Sequence, residues 1–296
     1  MDKQIFWLAS YPKSGNTLLR FILISLFFTK DGVFSFDKTK FISQFDMLPN
    51  IKRNKNIFGD EYNKIGNMNI FYKYINELQS KEALGFKEDF MFLKTHSGLF
   101  KLSENSFTTE GNTRGIIYIL RDPRDVSISW SKHNGIDIDK SIEFMKDSYA
   151  YYKWPKRLND KETYNERTIP KTLMSSWEKH VISWTQIKWK TPLLILKFED
   201  LVYDKINTVK KIVTFFEKNY DFKFNNIDEK INNIIKTTEF GNLKKHEKEN
   251  GFVEATKHNS FFSVGKKNQW SKKLNKAQIN RIEEKFLSTM KKFKYK

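Results

Sequence analysis

The sequence predicts an α/β chain, a central and mostly parallel sheet flanked by helices, and three observations predict it. Four apolar runs of strand length recur, Ile5–Ala9, Phe90–Leu93, Gly115–Leu120 and Leu193–Leu196. Each stops in polar residues able to do chemistry. Helical patterns follow three of the four, the alternation that builds a parallel sheet. The 296 residues suit a single domain over 1–296, and neither an internal repeat nor a low-complexity linker divides them.

The first run ends in Tyr11-Pro12-Lys13-Ser14-Gly15-Asn16-Thr17-Leu18-Leu19-Arg20, and the apolar run Phe21–Phe28 after it reads as a helix. A strand–turn–helix junction with a lysine and a glycine in the turn is where a phosphate sits. The helix start presents N–H groups and the positive end of its dipole. Gly15 lets the backbone approach a ligand; Lys13 adds a cation, and Ser14, Asn16 and Thr17 add side-chain donors. The junction is P-loop-like without the G-x-x-x-x-G-K-[ST] spacing, because the lysine precedes the glycine by two residues.

Composition narrows the function classes. Lys+Arg 53 against Asp+Glu 35 leaves +18, an attraction for anions: nucleotide, polyanion, nucleic acid or membrane surface. There is no cysteine, which excludes disulfides, thiolate metal sites and cysteine nucleophiles. Met1-Asp2-Lys3-Gln4 leads straight into the first strand with no secretory pattern. The Phe21–Phe28 run is far short of the ~20 residues that span a bilayer. The expectation is a cytoplasmic protein without a transmembrane segment.

Residues Thr29 to Lys87 read as short helices. The second strand ends in Lys94-Thr95-His96-Ser97-Gly98, which puts Lys94 and His96 at the carboxyl end of a strand, where α/β sheets hold their ligands. The third strand runs into Arg121-Asp122-Pro123-Arg124-Asp125-Val126-Ser127-Ile128-Ser129-Trp130. Asp122 as N-cap and Pro123 in the first turn start a helix. His133, late in that helix, is expected to point away from the strand ends. The aromatic stretch Tyr149–Trp154 is either a lid or a packed loop. Thr172 to Lys188 is expected as an amphipathic helix with Trp177, Val181 and Trp184 in the core and His180 structural. The fourth strand ends in Lys197-Phe198-Glu199-Asp200. Helices are expected from about Asp204 to Lys218 and from about Asn275 to Lys292.

These pieces, in this order, resemble the sulfotransferases that use 3′-phosphoadenosine 5′-phosphosulfate (PAPS). Their 5′-phosphosulfate loop reads roughly Tyr-Pro-Lys-Ser-Gly-Thr-Thr-Trp. This chain matches at Tyr11, Pro12, Lys13, Ser14, Gly15 and Thr17, and departs at Asn16 and at Leu18, where many members carry a tryptophan near the adenine. The resemblance covers residues 5 to about 270. It implies His96 as catalytic base, following the family's Lys-Thr-His, and Arg121 with Ser129 as the grip on the 3′-phosphate. It implies a nucleotide contact at Phe198, where the family's tyrosine is replaced and a hydroxyl lost. It implies adenine contacts at Thr238 and Phe240. The family's closing Arg-Lys-Gly-x-x-Gly-x-Trp appears only as Ser263-Val264-Gly265-Lys266-Lys267-Asn268-Gln269-Trp270. Gly265 and Trp270 keep the register, and Lys266 or Lys267 is left to supply the charge. The family's Ser-Trp-x-x-His-Val-x-x-Trp helix is matched at Ser176–Trp184.

The resemblance implies transfer of a sulfuryl group from PAPS to a hydroxyl or amine, releasing 3′,5′-bisphosphoadenosine (PAP). Lys13 faces the leaving oxygen, His96 takes the acceptor's proton, and Lys94 helps to hold the sulfonate. No metal is called for. The acceptor is a small molecule, carbohydrate or lipid. Two rivals stand beside this reading. A P-loop kinase or NTPase would want a different lysine spacing and magnesium ligands. A non-catalytic nucleic-acid-binding protein would want clustered basic residues or a known RNA-binding pattern, and neither is present. Neither the acceptor nor the oligomeric state is written in the sequence.

Overall fold

The protein is seen in a computed structural model that describes residues 4–153, 166–252, 254–255, 260–262 and 265–296. Among these residues the strands are β1 (Ile5–Ala9), β2 (Ser43–Gln44), β3 (Met91–Thr95), β4 (Lys101–Leu102), β5 (Asn105–Ser106), β6 (Thr113–Leu120), β7 (Tyr151–Lys153), β8 (Lys171–Leu173) and β9 (Leu193–Lys197). The principal sheet has the order β2–β3–β1–β6–β9. The pairings of β1 with β3, β1 with β6 and β2 with β3 are parallel. All five residues of β1 are fully buried, as expected of a parallel strand covered on both faces. The four predicted strands are all present, three of them longer than their apolar runs.

Compactness divides the chain into two interleaved units. The first comprises Met1–Tyr11, Ser43–Tyr118 and Lys146–Leu193; the second comprises Pro12–Ile42, Ile119–Met145 and Leu194–Lys296. In the first unit Trp7 of β1 is the centre of an aromatic core. Its ring lies 5.4 Å from Phe45, 5.4 Å from Phe107 and 6.4 Å from Trp184. Trp184 comes from a helix, Trp177–Thr185, whose Trp177, Val181 and Trp184 are all fully buried, as the periodicity predicts.

That helix is shorter than the sequence suggests. Residues Lys171–Leu173 belong to β8, paired antiparallel with β7. Ser175 then takes a left-handed conformation (φ 64°), and Ser176 accepts from the Lys179 N–H as N-cap. A capping serine ahead of an apolar period marks a helix start, and it outweighs the apolar residues upstream. In the aromatic stretch, Tyr149 is exposed and Tyr151–Lys153 form β7, while Trp154 lies outside the described residues.

The second unit is built on helix α1 (Asn16–Phe28), which begins inside the turn, five residues earlier than its apolar run. Phe21 stacks on Phe34 at 4.2 Å, and Phe27 meets Phe216, Phe222 and Phe224 at 4.7 to 5.3 Å. The C-terminal end of α1 is closed by a buried lysine. Lys230 Nζ donates to the carbonyls of Leu26 (3.1 Å) and Thr29 (2.9 Å), which are acceptors a helix end leaves unmet. The helix after β6 spans Pro123–Asn134, with the Asp122 side chain accepting from the Arg124 N–H. The segment after β9 forms two helices, Phe198–Tyr203 and Lys205–Tyr220, rather than one. The closing helix, Lys276–Lys292, opens on a capping box between Asn275 and Gln278. No helix among the described residues is long and apolar enough to cross a membrane.

Candidate active site

In the second unit the turn between β1 and α1 has two residues in the left-handed region, Lys13 (φ 66°) and Gly15 (φ 96°). For a lysine this conformation costs on the order of 1–2 kcal/mol, and strain of that kind collects at functional sites. Gly15 is required for space as well, since a Cβ there would lie 2.4 Å from Cδ2 of Phe198. Ser14 is fully buried, and its Oγ has no hydrogen-bond partner among the described residues. A buried hydroxyl left unmet beside a helix N-terminus fits an absent anionic ligand.

Arg121 is where separate stretches of this unit meet. Its Nη1 donates to the Lys13 carbonyl (3.1 Å) and its Nη2 to the Lys266 carbonyl (3.3 Å). Its guanidinium lies 4.2 Å from the centre of the Phe198 ring. Residues 13, 121, 198 and 266, far apart in sequence, are thus held by one side chain. Burial pulls the Arg121 pKa down, opposed by the charges of Asp125, Glu199 and Asp122. Behind it, Glu199 accepts from the Asp122 N–H (3.1 Å) and the Tyr295 hydroxyl (3.0 Å), and Asp125 accepts from the Trp270 N–H (3.0 Å). Burial raises the pKa of Glu199 and of Asp125. The Arg121 Nε is buried and lacks a partner among the described residues, a second unmet donor.

The other expected nucleotide contacts lie in the same unit. Gly265 (φ 59°) packs so closely that a Cβ would lie 2.4 Å from the Phe240 ring. Lys266 is exposed, and Lys267 holds its ammonium 4.3 Å from the Tyr203 ring. Ser263 and Val264 lie outside the described residues. Thr238 is fully buried and spends its hydroxyl on the Ile234 carbonyl (2.7 Å), while Lys205 Nζ donates to the Thr238 carbonyl (3.0 Å). Leu18 is half-buried and Asn16 buried in the first turn of α1. Thr17 Oγ1 donates to Glu254 Oε2 (2.8 Å), and the other oxygen of Glu254 pairs with Arg20 Nη1 (2.8 Å). Glu254 carries no motif that would have marked it.

One expectation is overturned. His133 does not point away: its Nδ1 lies 3.3 Å from Lys13 Nζ. The Phe261 ring completes the surround, 4.4 Å from the same ammonium. The reason is helical geometry. Residues four apart share a face, so a helix that presents Ser129 also presents His133. Ser129 itself is half-buried, near the middle of Pro123–Asn134.

In the first unit His96 follows the last residue of β3 and is held from three directions. Its backbone N–H donates to Asp46 Oδ2 (3.0 Å). Its carbonyl lies 3.2 Å from Nε2 of His180, whose Nδ1 lies 2.9 Å from the Tyr118 hydroxyl. Burial pushes His180 down to about 3, so this ring is neutral, with Nε2–H donating to the His96 carbonyl and Nδ1 accepting from Tyr118. The His96 ring places Nδ1 3.0 Å from the Ser10 carbonyl and 3.2 Å from the Ser10 hydroxyl. A carbonyl only accepts, so Nδ1 carries the proton and Nε2 the lone pair of the neutral imidazole. Tyr152 stands beside it, ring centres 5.6 Å apart, and its hydroxyl accepts from Gln44 Nε2 (2.7 Å). Lys94 is buried in β3, close enough for its charge to act on Asp46.

A family model described as "Sulfotransferase domain" matches residues 3–294. Sulfotransferase 2A1 of Macaca fascicularis is 26% identical over 184 residues, which cover 59% of this chain and 56% of that protein. Luciferin sulfotransferase of Photinus pyralis is 26% identical over 156 residues, covering 52% of this chain and 36% of its own. The chain therefore spans about half or less of the length of these relatives. A solved structure titled as mouse sulfotransferase SULT7A1 complexed with PAP superposes with a TM-score of 0.53 at 18% identity, covering 98% of this chain and 84% of that one, a likeness of fold. With a family model matched over residues 3–294, this chain belongs to the sulfotransferase domain family.

Proposed function

We propose that the protein is a PAPS-dependent sulfotransferase acting on a small-molecule acceptor. The observation that carries this reading is the meeting of Lys13, Phe198 and Lys266 on Arg121, beside a helix N-terminus with a buried, unmet serine hydroxyl. A nucleotide with phosphates at both ends of its ribose supplies what these groups lack. The loop Lys13–Thr17 and the start of α1 take the 5′-phosphosulfate, and Arg121 with Ser129 takes the 3′-phosphate. A P-loop kinase would bring no use for a second phosphate grip.

In the reaction the acceptor oxygen forms a bond to sulfur as the bridging S–O bond breaks. The electron pair of that bond goes to the 5′-phosphate oxygen of PAP. Lys13 and the helix N–H groups stabilise the charge that grows there. The acceptor's proton goes to Nε2 of His96, the ring nitrogen other than the one facing Ser10. Lys94 helps to hold the sulfonate oxygens. An acceptor with a flat face suits the Tyr152 ring beside His96.

The test is ligand stabilisation. PAP and PAPS should raise the Tm, because a ligand that binds only the native state stabilises it. ATP, lacking a 3′-phosphate, should do so far less. Equal shifts with ATP and PAP would count against the assignment, and screening hydroxyl compounds for transfer from labelled PAPS identifies the acceptor.

A further inference from the structure

Asp46 is the one carboxylate fully buried in the first unit's described residues, and nothing in its local sequence marks it. It lies just past β2, which pairs with β3 at Ser43–Leu93 and Gln44–Lys94, so the sheet carries it alongside the end of β3. Its two oxygens gather three consecutive residues. Thr95 Oγ1 donates to Oδ2 (2.8 Å), the His96 N–H donates to Oδ2 (3.0 Å), and Ser97 Oγ donates to Oδ1 (3.1 Å). The network closes on itself: the Ser97 N–H donates to Thr95 Oγ1 (3.0 Å), and Ser97 Oγ shares a hydrogen bond with Thr172 (2.6 Å). Each of these bonds fixes main chain or a side chain within one residue of His96.

A buried carboxylate is expensive to keep, and packing alone would be served by an apolar residue. What this one does is fix the backbone direction from which the imidazole departs. The other end of the residue, its carbonyl, is fixed by His180. With both ends of the residue held, Nδ1 faces Ser10.

We infer that Asp46 is a positioning residue for His96, selecting the Nδ1–H tautomer by anchoring the turn Thr95–Ser97. The inference rests on the sulfotransferase reading only for the use made of Nε2; the anchoring itself stands apart from it. Asp46 touches neither donor nor acceptor and acts through His96.

The experiment is long-range 1H–15N spectroscopy of the 15N-histidine-labelled protein, with the His96 signal identified by its loss in His96→Gln. In the wild type, above its own titration, His96 should show a protonated Nδ1 and a lone-pair Nε2. In Asp46→Ala both nitrogens should move toward the averaged position of two exchanging tautomers, while the remote His246, stacked on Phe36, keeps its wild-type signal. Asp46→Asn, which keeps the volume and one acceptor oxygen, should fall between. If Asp46→Ala does not fold, the Asn variant decides alone. A wild-type tautomer in the folded variants overturns the inference. PAP binding by the wild type is measured alongside: its absence sinks the sulfotransferase reading, and a tautomer that still depends on Asp46 would leave the anchoring in place.

Discussion

The surroundings of Arg121 and those of His96 treat buried polarity in opposite ways. Around His96 the buried polar groups answer one another: Asp46 with Thr95, the His96 N–H and Ser97, Ser97 with Thr172, and His180 with Tyr118 and the His96 carbonyl. Around Arg121 several are left unanswered. Ser14 Oγ, Arg121 Nε and Asp125 Oδ2 are buried without partners among the described residues, and Lys13 sits in a strained left-handed conformation. Unmet buried groups cost on the order of 1–3 kcal/mol each. On the proposed function the difference has a physical reason. A base would be held in one orientation before substrate arrives, by a closed network, whereas an anion site would keep donors in reserve for the ligand.

The largest expected effects come from removing the reacting groups. His96→Ala should lower turnover by ~10²–10⁴ while leaving PAP affinity unchanged. Lys13→Ala should lower kcat by a comparable ~10²–10³, because its charge matters most when the bridging bond breaks. Steady-state kinetics with labelled PAPS reads both. A His96→Ala enzyme with near-normal kcat would break the comparison at its closed end.

A smaller effect reads the closed network around His96 by pH. Asp46 is pushed up to about 6 by burial, above its unfolded value of ~3.9. The folded state therefore takes up its proton first, and acidification from about pH 6 to 4 stabilises through this group by roughly 3 kcal/mol at most. His180, pushed down to about 3 from an unfolded ~6.5, acts in the other direction. Its contribution is present above pH 6.5 and is lost as the pH falls toward 3. Asp46→Asn should make Tm fall more steeply with acid between pH 6 and 4, and His180→Asn should flatten the fall. Parallel Tm–pH curves for the wild type and both variants would contradict the burial-driven shifts.

The smallest effect is one of stability. Lys13→Gly should raise Tm by relieving roughly 1 kcal/mol of left-handed strain, while abolishing the lysine's part in turnover. A Tm below that of the wild type would mean that the Lys13 side chain, between His133 and Phe261, contributes more than the strain costs.

The sheet was legible because its strands are short apolar runs bounded by chemistry, and two helix starts because Asp122 and Asn275 are capping residues. The loop at Lys13–Thr17 and the arginine after β6 stand out in the sequence as phosphate-binding candidates because a phosphate calls for those residue types close together. Asp46 was not, since it reaches His96 through a two-residue strand pairing and across some fifty residues of chain. Nor was Glu254, whose partners Thr17 and Arg20 are remote in sequence. His133 was legible in principle: it stands four residues after Ser129, and one helical turn keeps the face. The helix at Trp177 was drawn too long because apolar residues upstream outweighed the serine cap in the reading, though not in the fold.

The central claim, a site built around Arg121 for a nucleotide with a 3′-phosphate, is tested most directly by calorimetric titration of PAP and of adenosine 5′-phosphate, which differ only in that phosphate. The wild type should bind PAP at least ~10-fold more tightly, since a charge-assisted hydrogen bond contributes about 1.5–3 kcal/mol. In Arg121→Ala the two affinities should converge. Equal affinities in the wild type, or a preference for PAP that survives in Arg121→Ala, would contradict it.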